Sequence, residues 1–471
     1  MHVSKAVTKL FGWSIVSNLV SLLGITIFAN ELGASRMGSF FLFQSVVILS
    51  TLIGDFGIST SIEKQVSNGL NRSKIVSSGL VILSIITLGI ITVLVVASSW
   101  ITSYIGVFAL PELIAAIIAR QGARLFKASL RGSQRVGDTA VLTAIDKITW
   151  FVVGGILLVG GHGVFALIYG DVAGAVCVLI FSVIKLKPKL TIPSLESISH
   201  ITSVAKWSGI SDLGGAAYNW LDIAILGILA GQSAVGIYEI AWRVATATLL
   251  FSQAIRRTAF PKIVAEGGQN NTARIEELLT KFVTPSVYFV IPALVGAAII
   301  GEEILSLVFG GEFAAGALIL TILMIEKVQR AFSFVLIAPA FALDRPDIDA
   351  KSTGIGIMSN LCLNVLLIST LGVVGAAVAT LLSETANFGT QYWLLKKHLK
   401  IQLPWRELFS TLVGAIFMGL VVVAVTHVIP IVTILQLLLV IMLGGTVYII
   451  VTLMNPVLQR RIRRGASKYA G

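Results

Sequence analysis

Apolar residues come in runs of about 20 along the whole chain, each closed by a short polar stretch. About 20 helical residues cross the ~30 Å hydrocarbon core of a bilayer. Read this way, the pattern predicts about fourteen membrane-spanning helices, near residues 10–30, 39–61, 76–98, 104–127, 140–160, 163–184, 206–230, 234–255, 282–308, 315–341, 353–370, 372–395, 408–429 and 432–453. The longest polar intervals, Lys185–Ala205, Arg256–Lys281 and Lys396–Glu407, are each too short to bury a core of their own. Composition agrees: 56% of the 471 residues are hydrophobic and only 12% are charged, against roughly a quarter in soluble domains. Lys5 and Lys9 precede the first run and no small-residue cleavage site follows it, so this helix is expected to stay in place. Cys177 and Cys362 fall inside predicted spans without metal-ligand spacing, and no metal or other cofactor is expected.

The net charge of +12 is distributed by topology. If the N-terminus is cytoplasmic, the cytoplasmic connections hold Lys64, Arg72, Lys74, Arg131, Arg135, Lys185, Lys187, Lys189, Arg256, Arg257, Lys262, Arg345, Lys351, Lys396, Lys397, Lys400 and Arg406. The tail adds Arg460, Arg461, Arg463, Arg464 and Lys468. The opposite connections hold Arg36 and little else basic, with Glu302, Glu303 and Glu312 among them. This is the positive-inside rule over an entire polytopic chain, and it places both termini in the cytoplasm of a cell with this protein in its inner, cytoplasmic membrane. The basic balance therefore implies contact with anionic membrane lipid rather than nucleic acid.

The chain also repeats itself. Trp13–Leu19 reads WSIVSNL and Trp207–Leu213 reads WSGISDL, and each is followed by a Gly-x-Ser-x-x-Gly turn, Gly33–Gly38 and Gly231–Gly236. A second echo sets Gly160–Gly163 before the sixth span and Leu371–Gly375 before the twelfth, with Asp171 and Glu384 following. Six spans separate the copies, so both halves enter the membrane in the same direction, as in transporters built from parallel repeats. The expected organisation is an all-α polytopic protein with a six-helix bundle at 1–190, a second at 191–400, and accessory helices 13 and 14 with a basic tail at 401–471.

Several segments resemble the multidrug/oligosaccharidyl-lipid/polysaccharide (MOP) exporter superfamily, in its polysaccharide-transporter, Wzx-like branch. They are ELGASRMGSFFLF at Glu31–Phe43, IGDFGIST at Ile53–Thr60, NWLDIAILGILAGQSAVGIYEIAWRV at Asn219–Val244, Phe260-Pro261, and GEEILSLVFGGEF at Gly301–Phe313. The resemblance implies two pseudo-symmetric bundles in a MATE-like V around a hydrophilic cavity. It implies a flippase moving polyprenyl-(di)phosphate-linked oligosaccharide from the cytoplasmic to the outer leaflet by alternating access. The partners would be the lipid-linked oligosaccharide, membrane lipids and glycan-assembly enzymes.

Ionisable side chains at bilayer depth are costly and so mark candidate sites. Arg120, Arg124, Lys127, Arg131 and Arg135 are spaced 4, 3, 4 and 4 and form one stripe, whose lower end is expected to snorkel to the cytoplasmic surface. Ser208, Asp212, Gly215, Asn219 and Asp222 share one helical face. Glu239 with Arg243, and Glu326 with Arg330, stand at i,i+4, where intrahelical pairing is expected. Asp146 and Lys147 add charge to the fifth span, and Gln44, Thr51 and Asp55 share a face of the second. Arginine offers planar paired donors suited to phosphate oxygens. Arg120, Arg124, Arg243, Arg330, Lys147 and Asn219 are therefore the head-group candidates, and Asp55, Asp222 and Glu384 the candidates for ion coupling. Trp150, Trp220 and Trp242 could offer faces to sugars.

Two other functions fit less well. A proton- or sodium-coupled multidrug exporter of the same superfamily would have a cavity rich in carboxylates and aromatics, with its arginines facing lipid or paired away. A membrane polysaccharide polymerase would bring a large external loop, which this chain lacks. No Walker loop or Ser/His/Asp arrangement points to an enzyme, and Asp347-Ile-Asp349 reads as a solvated turn among Asp344, Arg345 and Lys351.

Overall fold

The structure, a computed structural model, describes residues 2–268 and 271–454, and within them all side chains but those of 2–11, 14 and 210–219. The chain divides into two compact units, Met1–Gly236 and Ile237–Gly471. The first contains α1 (His2–Asp55), α2 (Ile58–Ser67), α3 (Arg72–Val96), α4 (Ser98–Ile105), α5 (Leu110–Gly132), α6 (Val136–Val159), α7 (Val164–Leu186) and α8 (Leu195–Leu229). Helix α9 (Gly231–Ala247) runs into the second unit. There follow α10 (Leu250–Gly267), α11 (Thr272–Val287), α12 (Val290–Phe309), a 3₁₀ turn at Gly311–Gly316, α13 (Ala317–Ala342), α14 (Pro346–Lys396), α15 (Trp405–Val428) and α16 (Ile434–Leu453). The boundary expected at residue 190 thus lies inside the first unit, and the one at 400 inside the second.

Eight of the described helical segments are long and apolar enough to cross a membrane, ten if each of two bent pairs is one span. Two of the eight contain a break where the sequence places a connection between successive spans. Helix α1 breaks at Gly33 (φ 74°) and α14 at Gly372 (φ 59°). Side chains other than glycine rarely adopt this backbone. The turn before α7 uses the same device, since Gly163 (φ 57°, ψ −134°) matches Gly372 (φ 59°, ψ −137°). Polar caps set other helix starts: the Asn71 side chain accepts from the backbone of Ser73 and Lys74, and Thr433 forms a capping box with Gln436.

The repeated Gly-x-Ser-x-x-Gly turns pack reciprocally within the first unit. A Cβ on Gly38 would lie 1.7 Å from the Gln232 carbonyl oxygen, and one on Gly236 2.0 Å from that of Ala34. Each turn ends in glycine because the other turn's backbone occupies the space.

Apolar packing fixes the rest. Phe28 and Phe40 of α1 close on Trp150 of α6, with ring centroids 5.0 and 5.9 Å away. Trp150 is therefore a buried packing residue rather than a face offered to sugar. In the second unit α15 and α16 pack on α12 through Ile300, Met418, Val422 and Tyr448. The Tyr448 hydroxyl donates to the Tyr288 carbonyl at 2.7 Å.

Candidate functional site

Each unit contains a cluster of ion pairs, joining several helices in the first and α13 to α14 in the second. In the first, the arginines of the α5 stripe reach α7, α6, α1 and α2. Arg120 donates to Asp171 of α7 at 2.7 Å and lies 3.7 Å from Asp146 of α6. Gln44 of α1 donates to the same Asp171 oxygen at 3.1 Å. Arg124 pairs with Asp55 at the end of α1, at 3.1 Å. Asp55 also accepts from the Ser59 backbone (3.1 Å) and hydroxyl (2.5 Å), so it fixes the start of α2 as well. Lys147 stands 3.7 Å from Asp146.

Lower on the stripe, Arg131 pairs with Glu63 at 2.6 Å and Arg135 with Asp138 at 2.7 Å. These residues, expected to snorkel, are held by specific carboxylates. The second unit repeats this turn: Arg345 pairs with Asp347 at 2.8 Å, after a left-handed Asp344 (φ 53°) that matches Gln134 (φ 58°) before Arg135. Each arginine also ties down the end of the hairpin that follows it. Arg135 donates to the Lys185 carbonyl at 2.9 Å, and Arg345 Nη1 lies 3.2 Å from His398 Nε2. The Asp347 carboxylate raises the pKa of the Arg345 guanidinium above its ordinary value. Lys351 also pairs with Asp347 at 2.9 Å, so the first aspartate of the Asp-Ile-Asp turn is held in surface ion pairs.

In the second unit Arg330 of α13 donates to Glu384 of α14 at 2.7 Å. Glu384 also accepts from the Ser333 hydroxyl at 2.8 Å and the Asn387 amide at 3.2 Å. Instead of the expected i,i+4 pairing of Glu326 with Arg330, Arg330 reaches Glu384 of α14 and Glu326 pairs with its sequence neighbour Lys327 at 2.6 Å. The Lys327 ammonium also stands 5.1 Å from the Trp242 ring centroid. Glu239 and Arg243 do pair within α9, at 2.6 Å.

The four principal pairs share one asymmetry. Asp55, Asp171, Glu239 and Glu384 are 0–3% exposed, whereas Arg124, Arg120, Arg243 and Arg330 are 25–36% exposed. Each acid is locked in the helix packing and its arginine reaches outward. A guanidinium has five N–H donors and a carboxylate engages at most a pair of them at once, so a held arginine can still address a second anion. A partly exposed cation within a span must meet water or an anion, since hydrocarbon solvates neither.

Other residues singled out in the sequence are placed less fully. Asp222 is buried, and Ser208 donates to the Gly57 carbonyl at 3.2 Å, packing α8 on the α1–α2 junction. The side chains of Asp212 and Asn219 lie outside the described residues. The sequence reading missed a buried polar chain on α14. Asn364 donates to Asn360 at 3.0 Å, and Asn360 to Ser383 at 3.4 Å. Two asparagines at i,i+4 in an apolar run were the available signal. Among the described residues, no group of three or more His, Cys, Asp or Glu side chains is placed to hold a metal.

The fold and sequence have clear relatives. Residues 27–317 match the family described as polysaccharide biosynthesis protein. The chain is 37% identical, over 96% of its length and 96% of the relative's, to the Haloferax volcanii protein named "Probable low-salt glycan biosynthesis flippase Agl15". It is 28% identical to the "Probable flippase AglR" of the same organism, over 93% of each chain. Among solved structures, an inward closed conformation of the lipid II flippase MurJ superposes with a TM-score of 0.80 at 16% identity, covering 94% of this chain and 98% of that one. An inward-facing multidrug resistance MATE transporter of the MOP superfamily superposes at 0.64, also at 16% identity, over 81% and 96%. This multi-pass membrane protein therefore belongs to the polysaccharide biosynthesis protein family and has the fold of the MOP superfamily.

Proposed function

We propose that this chain is a flippase that carries a polyprenyl-(di)phosphate-linked oligosaccharide from the cytoplasmic to the outer leaflet of the cytoplasmic membrane, by alternating access. One observation carries the reading: in both units, buried carboxylates hold arginines whose side chains remain 25–36% exposed. Such arginines suit a phosphate or pyrophosphate that must shed water on leaving the leaflet. The names of the Haloferax relatives support the same substrate class.

In this reading Arg120, Arg124, Arg243, Arg330, Lys147 and Asn219 receive the head group. Asp55, Asp222 and Glu384 couple transport to an ion. Neutralising Asp55 or Glu384, by a proton or sodium, loosens its hold on Arg124 or Arg330 and turns the guanidinium toward phosphate. The basic connections support a cytoplasmic position for both termini, and in this reading glycan-assembly enzymes deliver the cargo on that side.

A cation-coupled drug exporter is the competing reading. It is favoured by the second unit, where Arg243, Lys327 and Arg330 are matched by Glu239, Glu326 and Glu384. Cells lacking the chain distinguish the two. Under the proposal they accumulate lipid-linked glycan on the cytoplasmic leaflet and lose surface glycan, and the wild-type chain restores both while Arg330→Ala does not. Unchanged surface glycan together with new drug sensitivity would favour the exporter.

A further inference from the structure

The first unit contains a cleft of about 530 Å³ bounded by α3, α5 and α7, within the size range of ligand sites. Its walls are apolar, with Leu83, Phe126 and Leu179 among them, and Leu88 and Ile118 at its mouth are exposed as lipid-facing residues are. One residue breaks the pattern. Gln121 lines the cleft and is 3% exposed, yet among the described residues neither its amide nitrogen nor its carbonyl oxygen has a hydrogen-bond partner. Buried amides are ordinarily satisfied, so an orphaned one marks a place where a ligand can complete the bonding.

The position of Gln121 indicates what that ligand is. A Cβ on Gly54 would lie 2.0 Å from Gln121 Nε2, so the amide packs beside the residue that precedes Asp55. Arg124, paired with Asp55, stands one turn further along α5. The amide thus stands between an apolar cleft open to lipid and an arginine assigned to the phosphate.

We infer that this cleft holds the isoprenoid chain of the lipid-linked substrate next to its phosphate, with Gln121 donating to the phosphoester oxygen where chain and head group join. This inference rests on the proposed head-group role of Arg124. Three helical residues rise only about 4.5 Å. A phosphate on Arg124 therefore leaves no room for the glycerol that separates phosphate from acyl chain in a phospholipid, whereas a polyprenyl phosphate has no such spacer.

The test is photo-crosslinking of the full chain in liposomes with a polyprenyl monophosphate carrying a diazirine on its first isoprene units, with adducts mapped by mass spectrometry. Adducts are expected on residues 80–91 and 118–126, competed by unlabelled polyprenyl phosphate but not by equal phosphatidylglycerol. Loss of one hydrogen bond to a charged group corresponds to about tenfold in binding. Gln121→Leu should therefore weaken labelling by about that factor at limiting probe, and Ser84→Trp, which fills the mouth of the cleft, should abolish it in protein shown to be monodisperse. Labelling spread evenly over lipid-facing helices, no labelling, equal competition by phosphatidylglycerol, or unchanged labelling of Gln121→Leu would each overturn the inference. The readout does not depend on transport. A chain that labels as expected but moves no glycan would sink the flippase reading alone, and one that transports but labels elsewhere would sink only the cleft.

Discussion

Removing Arg330 strips the buried Glu384 carboxylate of an ionic partner 2.7 Å away, while the Ser333 and Asn387 bonds at 2.8 and 3.2 Å remain. Breaking one side of a buried ion pair costs about 3–5 kcal/mol. The Arg330 side chain is 27% exposed, so solvent already screens part of the pair and the lower end, about 3 kcal/mol, is expected for Arg330→Ala. At roughly 2–4 °C per kcal/mol for a unit of this size, the melting temperature in detergent should fall by about 6–12 °C. Glu384→Gln removes the charge and keeps hydrogen-bonding groups in place, and should cost about 1 kcal/mol. The double variant removes both charges of this pair and should recover most of the lost stability. Transport separates the two roles of Arg330. If it receives phosphate, the double variant is stable but flips less substrate than Glu384→Gln alone, which already lacks the proposed coupling carboxylate; if it only neutralises Glu384, the two flip substrate alike. Wild-type-like flipping by a stable R330A/E384Q protein would refute the head-group assignment.

Three further substitutions probe other parts of the structure. Gly38→Ala forces a Cβ against the Gln232 carbonyl and should cost about 1–3 kcal/mol, with Gly236→Ala behaving alike and the double variant less than additive, by thermal unfolding in detergent. Asp55→Asn retains an acceptor for Ser59 and should remain folded, while flipping measured under imposed proton or sodium gradients loses its gradient dependence. An unchanged dependence would remove Asp55 from coupling. Tyr448→Phe deletes the bond to the Tyr288 carbonyl and should cost about 0.5–1.5 kcal/mol without changing flipping.

The helices were legible because apolar runs long enough to span a membrane leave little choice of local structure. The turns at Gly33 and Gly231 were legible as a repeat, but not the reciprocal backbone contact that explains why each ends in glycine. The charges were legible as a set and not as partners. Arg120 with Asp171, and Arg330 with Glu384, join residues 51 and 54 apart on different helices. Helical spacing points only to neighbours such as Glu239 and Arg243. At Glu326 that rule chose Arg330, where packing chose Lys327. The echo of Asp171 and Glu384 after glycine turns did carry information. Gly163 and Gly372 share one backbone conformation, and the acid following each holds an arginine from another helix of its own unit. Trp150 was misplaced because an aromatic in a span looks the same in sequence whether it meets sugar or Phe28.

The central claim is that the chain moves a lipid-linked oligosaccharide between leaflets on arginines held by buried acids. It is tested most directly by reconstituting the purified protein into liposomes carrying a polyprenyl-diphosphate oligosaccharide in one leaflet and following its appearance in the other with a membrane-impermeant lectin or glycosidase. The account predicts protein-dependent transfer that Arg120→Ala or Arg330→Ala abolishes in folded protein. Transfer no faster than in protein-free liposomes, or transfer unaffected by either substitution, would contradict it.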